Sequence, residues 1–431
     1  MTDPAAAAGP ALGAGGFPAP HSPAFTPVWA LPFALLLLAI AVIPLAAPRF
    51  WKRERNRVIV TALLAAPVVV LLILIEPRLL AHTLSDYASF VILLGALFTV
   101  SGGIVLYGDL ESTPAVNTAF LALGSVLANV VGTTGASMVL IRPLLRTSRE
   151  RQRTMHIPVF FILIVGNIGG MLTPLGDPPL FLGYLAGVPF FWTLRLLPVW
   201  AVANAWLLGL FFLVDTWAWR REPVSAIRAD RAKFEPLRLR GVRSLPFFAV
   251  IAASAFLPVP WREIVMVAAA AAAYFLTPSG YHRHNEFSFA PIVEVGVLFA
   301  GIFLTMVPAL ELLRHHAPSL GITRPWHFYW LTGGLSAVLD NAPTYLVFLS
   351  IAQGLGLGGG IIGVPAKLLA AVSAGAVMMG ANTYIGNGPN FMIKAIAEHR
   401  GIRMPSFFGF ILMAMAALLP LYIAITLIFF R

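Results

Sequence analysis

Cysteine is absent from the 431 residues, which excludes disulfides, thiolate catalysis and cysteine metal ligation at once. Charge is scarce. Asp, Glu, Lys and Arg make up 11% of the chain, against roughly 25% in soluble domains. Acidic residues are the rarer sign, and the formal net charge is +11. That excess does not read as a nucleic-acid surface, because it is gathered into three short loops between apolar runs, the distribution that membrane topology produces. The chain is 59% hydrophobic. It reads as an all-α polytopic membrane protein whose surroundings are the lipid bilayer. Residues 1–27 are rich in Ala, Gly and Pro and nearly uncharged. They lack the basic start of a signal peptide and are expected to form a disordered tail.

Apolar spans are expected at Val28–Ala47, Val58–Ile75 and Tyr87–Tyr107. The basic loop Arg49–Arg57 between the first two belongs on the cytoplasmic side, and so does the turn Gly108–Pro114. The next apolar stretch, Ala115–Ile141, is interrupted by Asn129-Val-Val-Gly-Thr-Thr-Gly135 and followed by a loop with five arginines, Arg142–Arg153. A single crossing would leave those arginines outside. A re-entrant hairpin keeps both flanks inside, with its polar tip at mid-membrane. A broken span then covers Pro158–Ala186, and Phe191–Asp215 returns to the basic linker Arg220–Arg243. Two short spans, Leu245–Leu257 and Glu263–Leu276, lead to the turn Tyr281–Glu286. Ala290–Leu310 spans again, Phe328–Ile351 is broken at Leu339-Asp-Asn-Ala-Pro-Thr344, and Pro365–Ala397 is broken at Gly380–Asn390. Phe407–Phe430 is the last span.

The break at Gly166–Leu180 carries the argument. It holds four glycines, three prolines, Asn167, Thr173 and Asp177, and no α-helix runs unbroken through Pro174, Pro178 and Pro179. Broken backbone in hydrocarbon is tolerated only where protein or a water-filled cavity satisfies it. A carboxylate beside it is a functional site by default. The same grammar recurs about 210 residues later. Gly176-Asp-Pro-Pro-Leu180 matches Gly386-Asn-Gly-Pro-Asn390, and Asn129–Thr134 lies opposite Asp340–Thr344. Each unit contains an odd number of crossings with an even pair between the units, so the two must face opposite ways. The expected architecture is about ten spanning helices plus two re-entrant hairpins in two inverted repeats with broken helices, the sequence signature of a secondary transporter. The segments are scaffold spans at 28–86, repeat 1 at 87–218, linker and connecting spans at 219–288, and repeat 2 at 289–431.

At these residues the sequence resembles the ion transporter superfamily, which includes sodium/proton antiporters of the NhaD type, arsenite permeases and citrate or dicarboxylate transporters. Gly169-Gly-Met-Leu-Thr-Pro-Leu-Gly-Asp177 is similar to the Gly-Gly, Pro-x-Gly-Asp segment of the antiporters. Asp340-Asn-Ala-Pro-Thr344 is similar to the Asp-Asn-x-Pro segment at the second hairpin tip of antiporters and arsenite permeases. The resemblance covers Tyr87 to the C-terminus. It implies a homodimer in a bacterial inner membrane, with a fixed scaffold and a transport domain that moves as an elevator. Carboxylate carriers place Ser-Asn-Thr at both hairpin tips, a pattern this sequence lacks.

A dehydrated sodium ion needs several hard oxygen ligands. Repeat 1 offers Asn129, Thr133, Thr134, Thr173 and Asp177, and repeat 2 offers Asp340, Asn341, Thr344, Asn382, Thr383, Asn387 and Asn390. Asp177, Asn129 and Asn341 are the leading Na+ ligands; Asp177 and Asp340 are the two candidates for proton coupling. One carboxylate can hold a proton or a sodium ion but hardly both, so competition would give antiport. Two acidic residues, one per repeat, favour a cation. Lys394 points the other way, toward pairing with an Asp or contacting an anion, or else it snorkels to the membrane face. Glu294 is a weaker proton-relay candidate. His315-His316 and His282/His284 lack the remaining ligands of a metal site. A membrane enzyme is disfavoured because the broken segments contain no His and no nucleophile–base pair. The expectation is a sodium/proton antiporter without cofactor, transporting small inorganic cations and protons; the alternative is a cation-coupled citrate or dicarboxylate transporter.

Overall fold

The computed structural model describes residues 25–431, so the expected tail at 1–27 lies almost wholly outside the described residues. Helices dominate: α1 (Leu31–Ala46), α2 (Glu54–Ile75) and α3 (Pro77–Gly102) precede strand β1 (Val105–Asp109). Seven helical segments among the described residues are long and apolar enough to cross a membrane. Where two broken spans and one short span are expected, the apolar helices are short: His156–Leu172, Ala366–Asn382 and Val242–Ser254, each of 10–17 residues.

One of the seven does not run straight. The helical segment α4 (Pro114–Thr147) has 34 residues and would extend about 51 Å as a single rod. Gly132 interrupts it with φ 79° and ψ 155°, a backbone state open to glycine and strained for a residue with a Cβ. The chain turns back there. The hydroxyls of Ser112, just before the segment, and Ser148, just after it, lie 3.1 Å apart, and Gly124 of one arm packs on Leu140 of the other. The second broken stretch does the same. It forms α12 (Pro325–Val338) and α13 (Asn341–Gly354), and Phe328 meets Phe348 with ring centroids 6.5 Å apart. Residues 20 apart on a straight helix would be about 30 Å from each other.

The expected spans with proline and glycine at their centres are split as well. The first gives α5 (His156–Ile164) and α6 (Pro178–Leu185), joined by unwound chain and one 3-10 turn. Helix α7 (Leu197–Trp219) follows. After α9 (Leu245–Ser254), α10 (Trp261–Leu276) and α11 (Ala290–His316), the second split gives α14 (Ala366–Met379) and α15 (Gly388–His399). Helix α16 (Phe407–Ile425) ends the fold. Proline at the first or second position of α3, α4, α6, α12 and α15 sits where its missing N–H costs nothing.

Helices α3 and α11 pack against each other antiparallel. Tyr87 meets Phe303, Phe90 stacks on Phe299 at 4.7 Å, and Gly95 backs onto Ile292, so positions rise along one helix as they fall along the other. Helices α1 and α2 cover α11, while α9 and α10 cover α3. Around this layer the two halves cross over. The second arm of the second hairpin, α13, packs on α6, and the first hairpin packs on α15.

The fold is all-α apart from one small sheet, in which β1 pairs antiparallel with β2 (Glu235–Arg240), Val105 opposite Arg240. One expectation needs correction: the linker at 220–243 is not a plain polar loop. It forms a helix, α8 (Val224–Ala232), as well as β2, and is tied to the base of the first hairpin. Asp230 accepts from the Ser112 N–H at 2.8 Å, Glu222 accepts from the N–H groups of Gln152 and Arg153, and Lys233 pairs with Glu150 at 2.7 Å. Beneath them Asp215, fully buried, holds Arg151 at 2.6 Å, His156 at 2.8 Å and Asn117 at 2.9 Å.

Candidate transport site

Both hairpin tips and both split spans meet at Asp177. The carboxylate is 1% exposed. Its Oδ1 accepts from the Thr133 hydroxyl at 3.1 Å and from Asn387 Nδ2 at 3.0 Å, and its Oδ2 accepts from Asn341 Nδ2 at 2.8 Å. One donor comes from the first hairpin, one from the second hairpin and one from the second split span. No Lys, Arg or His among the described residues pairs with it. Asn341 Oδ1 is buried with no hydrogen-bond partner, leaving a hard oxygen beside the carboxylate. Such an orphaned acceptor costs about 1–3 kcal/mol unless something satisfies it.

The backbone repeats the arrangement in both halves. At the first tip the Thr133 N–H donates to the Gly176 carbonyl at 2.8 Å, and at the second the Asn341 N–H donates to the Gly386 carbonyl at 3.2 Å. Each hairpin is thereby pinned to the residue before Asp177 or Asn387. Both attachments need a chain without side chains. A Cβ on Gly170 would lie 2.6 Å from the Gly176 carbonyl oxygen and equally close to Thr133 Cγ2; one on Gly380 would lie 2.9 Å from the Gly386 oxygen. Asp177, Asn387 and Asp340 are the N-cap residues of α6, α15 and α13. Three helix N-termini, with their partial positive charge, therefore bear on one place.

The remaining candidates separate into groups. Asn129 and Thr173 bind each other's segments: Asn129 Oδ1 accepts from the Leu172 N–H at 2.8 Å, and the Thr173 hydroxyl donates to the Asn129 carbonyl at 2.5 Å. They lock the first hairpin to its split span, and neither bonds to Asp177. Asp340 accepts from the Ala342 N–H at 3.0 Å, and the Thr344 hydroxyl donates to the Asp340 carbonyl, so this carboxylate caps its own helix. Thr383 accepts from the Gly386 N–H, and Asn382 Oδ1 accepts from the Tyr422 hydroxyl, both at 3.0 Å. Asn390 Nδ2 donates to the carbonyls of Gly380 and Thr383. Thr134 is half-buried beside the first tip. Lys394 pairs with Glu398 at 3.3 Å and lies over Tyr384, away from both aspartates. Glu294 is taken by Arg57 at 2.5 Å.

One site residue was not among the sequence candidates. Asn167 is fully buried and links the split spans: its Nδ2 donates to Asn390 Oδ1 at 2.7 Å, and its Oδ1 accepts from Asn387 Nδ2 at 3.2 Å. The position 210 residues on is Val377, so matching the two halves passes over it. Its polarity inside the first break was the available signal.

Among the described residues no group of three or more His, Cys, Asp or Glu could hold a metal ion. What converges on the Asp177 carboxylate, with Asp340 capping a neighbouring helix, is a set of neutral amides, hydroxyls and backbone carbonyls. Those are hard donors, suited to an alkali cation or a proton and not to a transition metal. No curated protein matches the chain. A family described as "Putative citrate transport" matches residues 22–430. The chain belongs to that family, and with its apolar helices it is a multi-pass membrane protein and a secondary transporter of the citrate-transporter type.

Proposed function

We propose that the protein exchanges sodium (or lithium) for protons across the membrane, with Asp177 as the carboxylate for which the two cations compete. The observation that carries this is the set of partners of Asp177: three neutral donors from three separate segments, no basic side chain among the described residues, and the orphaned Asn341 Oδ1 beside it. A proton or a sodium ion each neutralises the site. An empty, ionised site is a buried negative charge that is costly to carry through hydrocarbon, so movement favours a loaded site and links one cation to the other. Asp340 caps its own helix and is the second candidate for the proton.

In this reading the hairpins are re-entrant and the halves are inverted repeats. The antiparallel contact of α3 with α11 and the matched tip contacts, Thr133 to Gly176 and Asn341 to Gly386, support it. Hairpins and split spans would move as one body against a scaffold of α1, α2, α3 and α11, in a homodimer in a bacterial inner membrane. The basic loops would face the cytoplasm.

The family match favours a second reading, cation-coupled uptake of citrate or a related organic anion. The helix N-termini at the site would then face substrate carboxylates. Proteoliposomes with a trapped pH dye and an imposed proton gradient separate the two. Sodium or lithium collapsing the gradient, with the effect absent in Asp177→Asn, supports exchange. Citrate accumulation with no proton movement driven by sodium alone supports the second reading and ends the first.

A further inference from the structure

The face that carries the basic loops also carries a concave site unrelated to Asp177. A cleft of about 780 Å³ lies between the base of the first hairpin and the end of α15, within the range of about 300–1,000 Å³ typical of small-ligand pockets. Its polar lining includes Arg146, Arg149, Arg151, His399, Arg400 and Arg403, and no carboxylate. We propose that this cleft binds a multiply charged oxyanion of the phosphate class.

Among the described residues the charge is neutralised from within the protein only at Arg151, which pairs with Asp215 and Glu222. Arg146 contacts His284 Nε2 at 3.2 Å and the Gly108 carbonyl. Arg149, Arg400 and Arg403 have no ion pair among the described residues. The two acids adjoining the cleft in sequence are engaged elsewhere: Glu150 bonds Lys233 at 2.7 Å, and Glu398 pairs with Lys394. Topology explains basic residues in a loop, and a helix C-terminus explains one beside its last carbonyls. Neither requires unpaired arginines from segments some 250 residues apart to line one cavity.

Excess like charge in a confined space is repulsive. His284, in the short helix Ser279–His284, lies against Arg146: burial and then the charges of Arg146, Arg400 and Arg142 hold its imidazole below the ordinary value, with Glu286 opposing. An occupant carrying several negative charges would relieve that repulsion. Guanidinium groups pair with phosphate oxygens in a two-pronged geometry that a single halide ion cannot exploit. The same chemistry is presented by an anionic lipid headgroup at the membrane surface and by a soluble polyphosphate. The inference rests on neither transport reading.

Binding of inorganic tripolyphosphate to the detergent-purified full chain, followed by calorimetry, tests the soluble source. Nanodiscs of phosphatidylcholine with or without phosphatidic acid, compared by thermal unfolding, test the lipid source. The triple variant Arg149→Gln/Arg400→Gln/Arg403→Gln alters exposed or partly exposed side chains. A control removes equal charge from another basic loop, Arg49→Gln/Arg53→Gln/Arg55→Gln. Saturable binding or selective stabilisation by either source, weakened about tenfold or more in the cleft variant and unchanged in the control, supports the site. Equal loss in both variants, or no saturable response to either source, overturns it.

Discussion

Asp177 and Asn387 occupy matching places in the two halves, 210 residues apart, and hydrogen-bond to each other at 3.0 Å. Any two-fold relation between the halves must therefore pass close to this contact. Each residue stands where its half unwinds and restarts as a helix, but only one can carry a charge. A neutral amide opposite a carboxylate gives a donor where a second aspartate would give repulsion. The pair thus joins both halves at one titratable group. Asp177→Asn removes that group with little change in volume. It should reduce sodium-dependent proton movement at least about a hundredfold, the scale for losing an essential proton-transferring group, while size-exclusion profiles in detergent stay those of the wild type.

The three donors are not equivalent. Thr133→Val removes one neutral donor to the Asp177 carboxylate, whereas Asn341→Ala removes the donor to Oδ2 and also the orphaned Oδ1. Losing a hydrogen bond to a charged group costs about 1.5–3 kcal/mol. The sodium concentration for half-maximal exchange should rise about tenfold in Thr133→Val and further in Asn341→Ala. Equal effects in the two variants would mean that the Asn341 oxygen is not a ligand.

Close backbone approach predicts an order among glycine substitutions. Gly170→Ala puts a Cβ 2.6 Å from the Gly176 carbonyl, Gly380→Ala puts one 2.9 Å from the Gly386 carbonyl, and a Cβ on Gly209 of α7 meets nothing within 4 Å. Neither carbonyl can retreat without moving a hairpin tip. Thermal unfolding in detergent should show the greatest loss for Gly170→Ala, a smaller one for Gly380→Ala, and a gain of about 0.5–1 kcal/mol for Gly209→Ala, where alanine suits a helix better than glycine.

Much of this arrangement was legible in the sequence because proline and glycine interrupt hydrophobic runs for local reasons. Pro178, Pro179 and Pro389 mark the restart of α6 and α15 at the expected places, and Asp177, Asn341 and Asn387 were singled out by polarity there. Side-chain direction was not legible. Asn129 and Thr173 are as polar as Thr133 but turn toward each other's segments, a choice made by packing. Helix α3 begins at Pro77 and not near Tyr87, because a polar residue that reads as loop finds a partner within the helix: Thr83, buried, donates its hydroxyl to the Leu79 carbonyl at 2.9 Å. Strand β2 was hidden for a related reason. All six of its residues are exposed, so no alternation marks it, and its partner lies about 130 residues away.

The sheet nevertheless carries a titratable position outside the membrane. Asp109, at the end of β1, has a buried Oδ1 with no partner. Burial first, then the nearby carboxylates of Glu150, Asp230 and Glu235, push its carboxyl up to about 6, with Arg146 opposing. The folded chain then holds a proton between roughly pH 4 and 6 that the unfolded chain has released. The associated stability is full below about pH 4 and is lost as pH rises through about 6. At neutral pH the ionised Asp109 is a cost, though less than about 1 kcal/mol because solvent screens a partly exposed group. Asp109→Asn should therefore unfold at a higher temperature than the wild type at pH 7.5, with the difference shrinking toward pH 4.5. A variant that is less stable at pH 7.5 would show that the ionised carboxylate helps to hold the linker against the first hairpin.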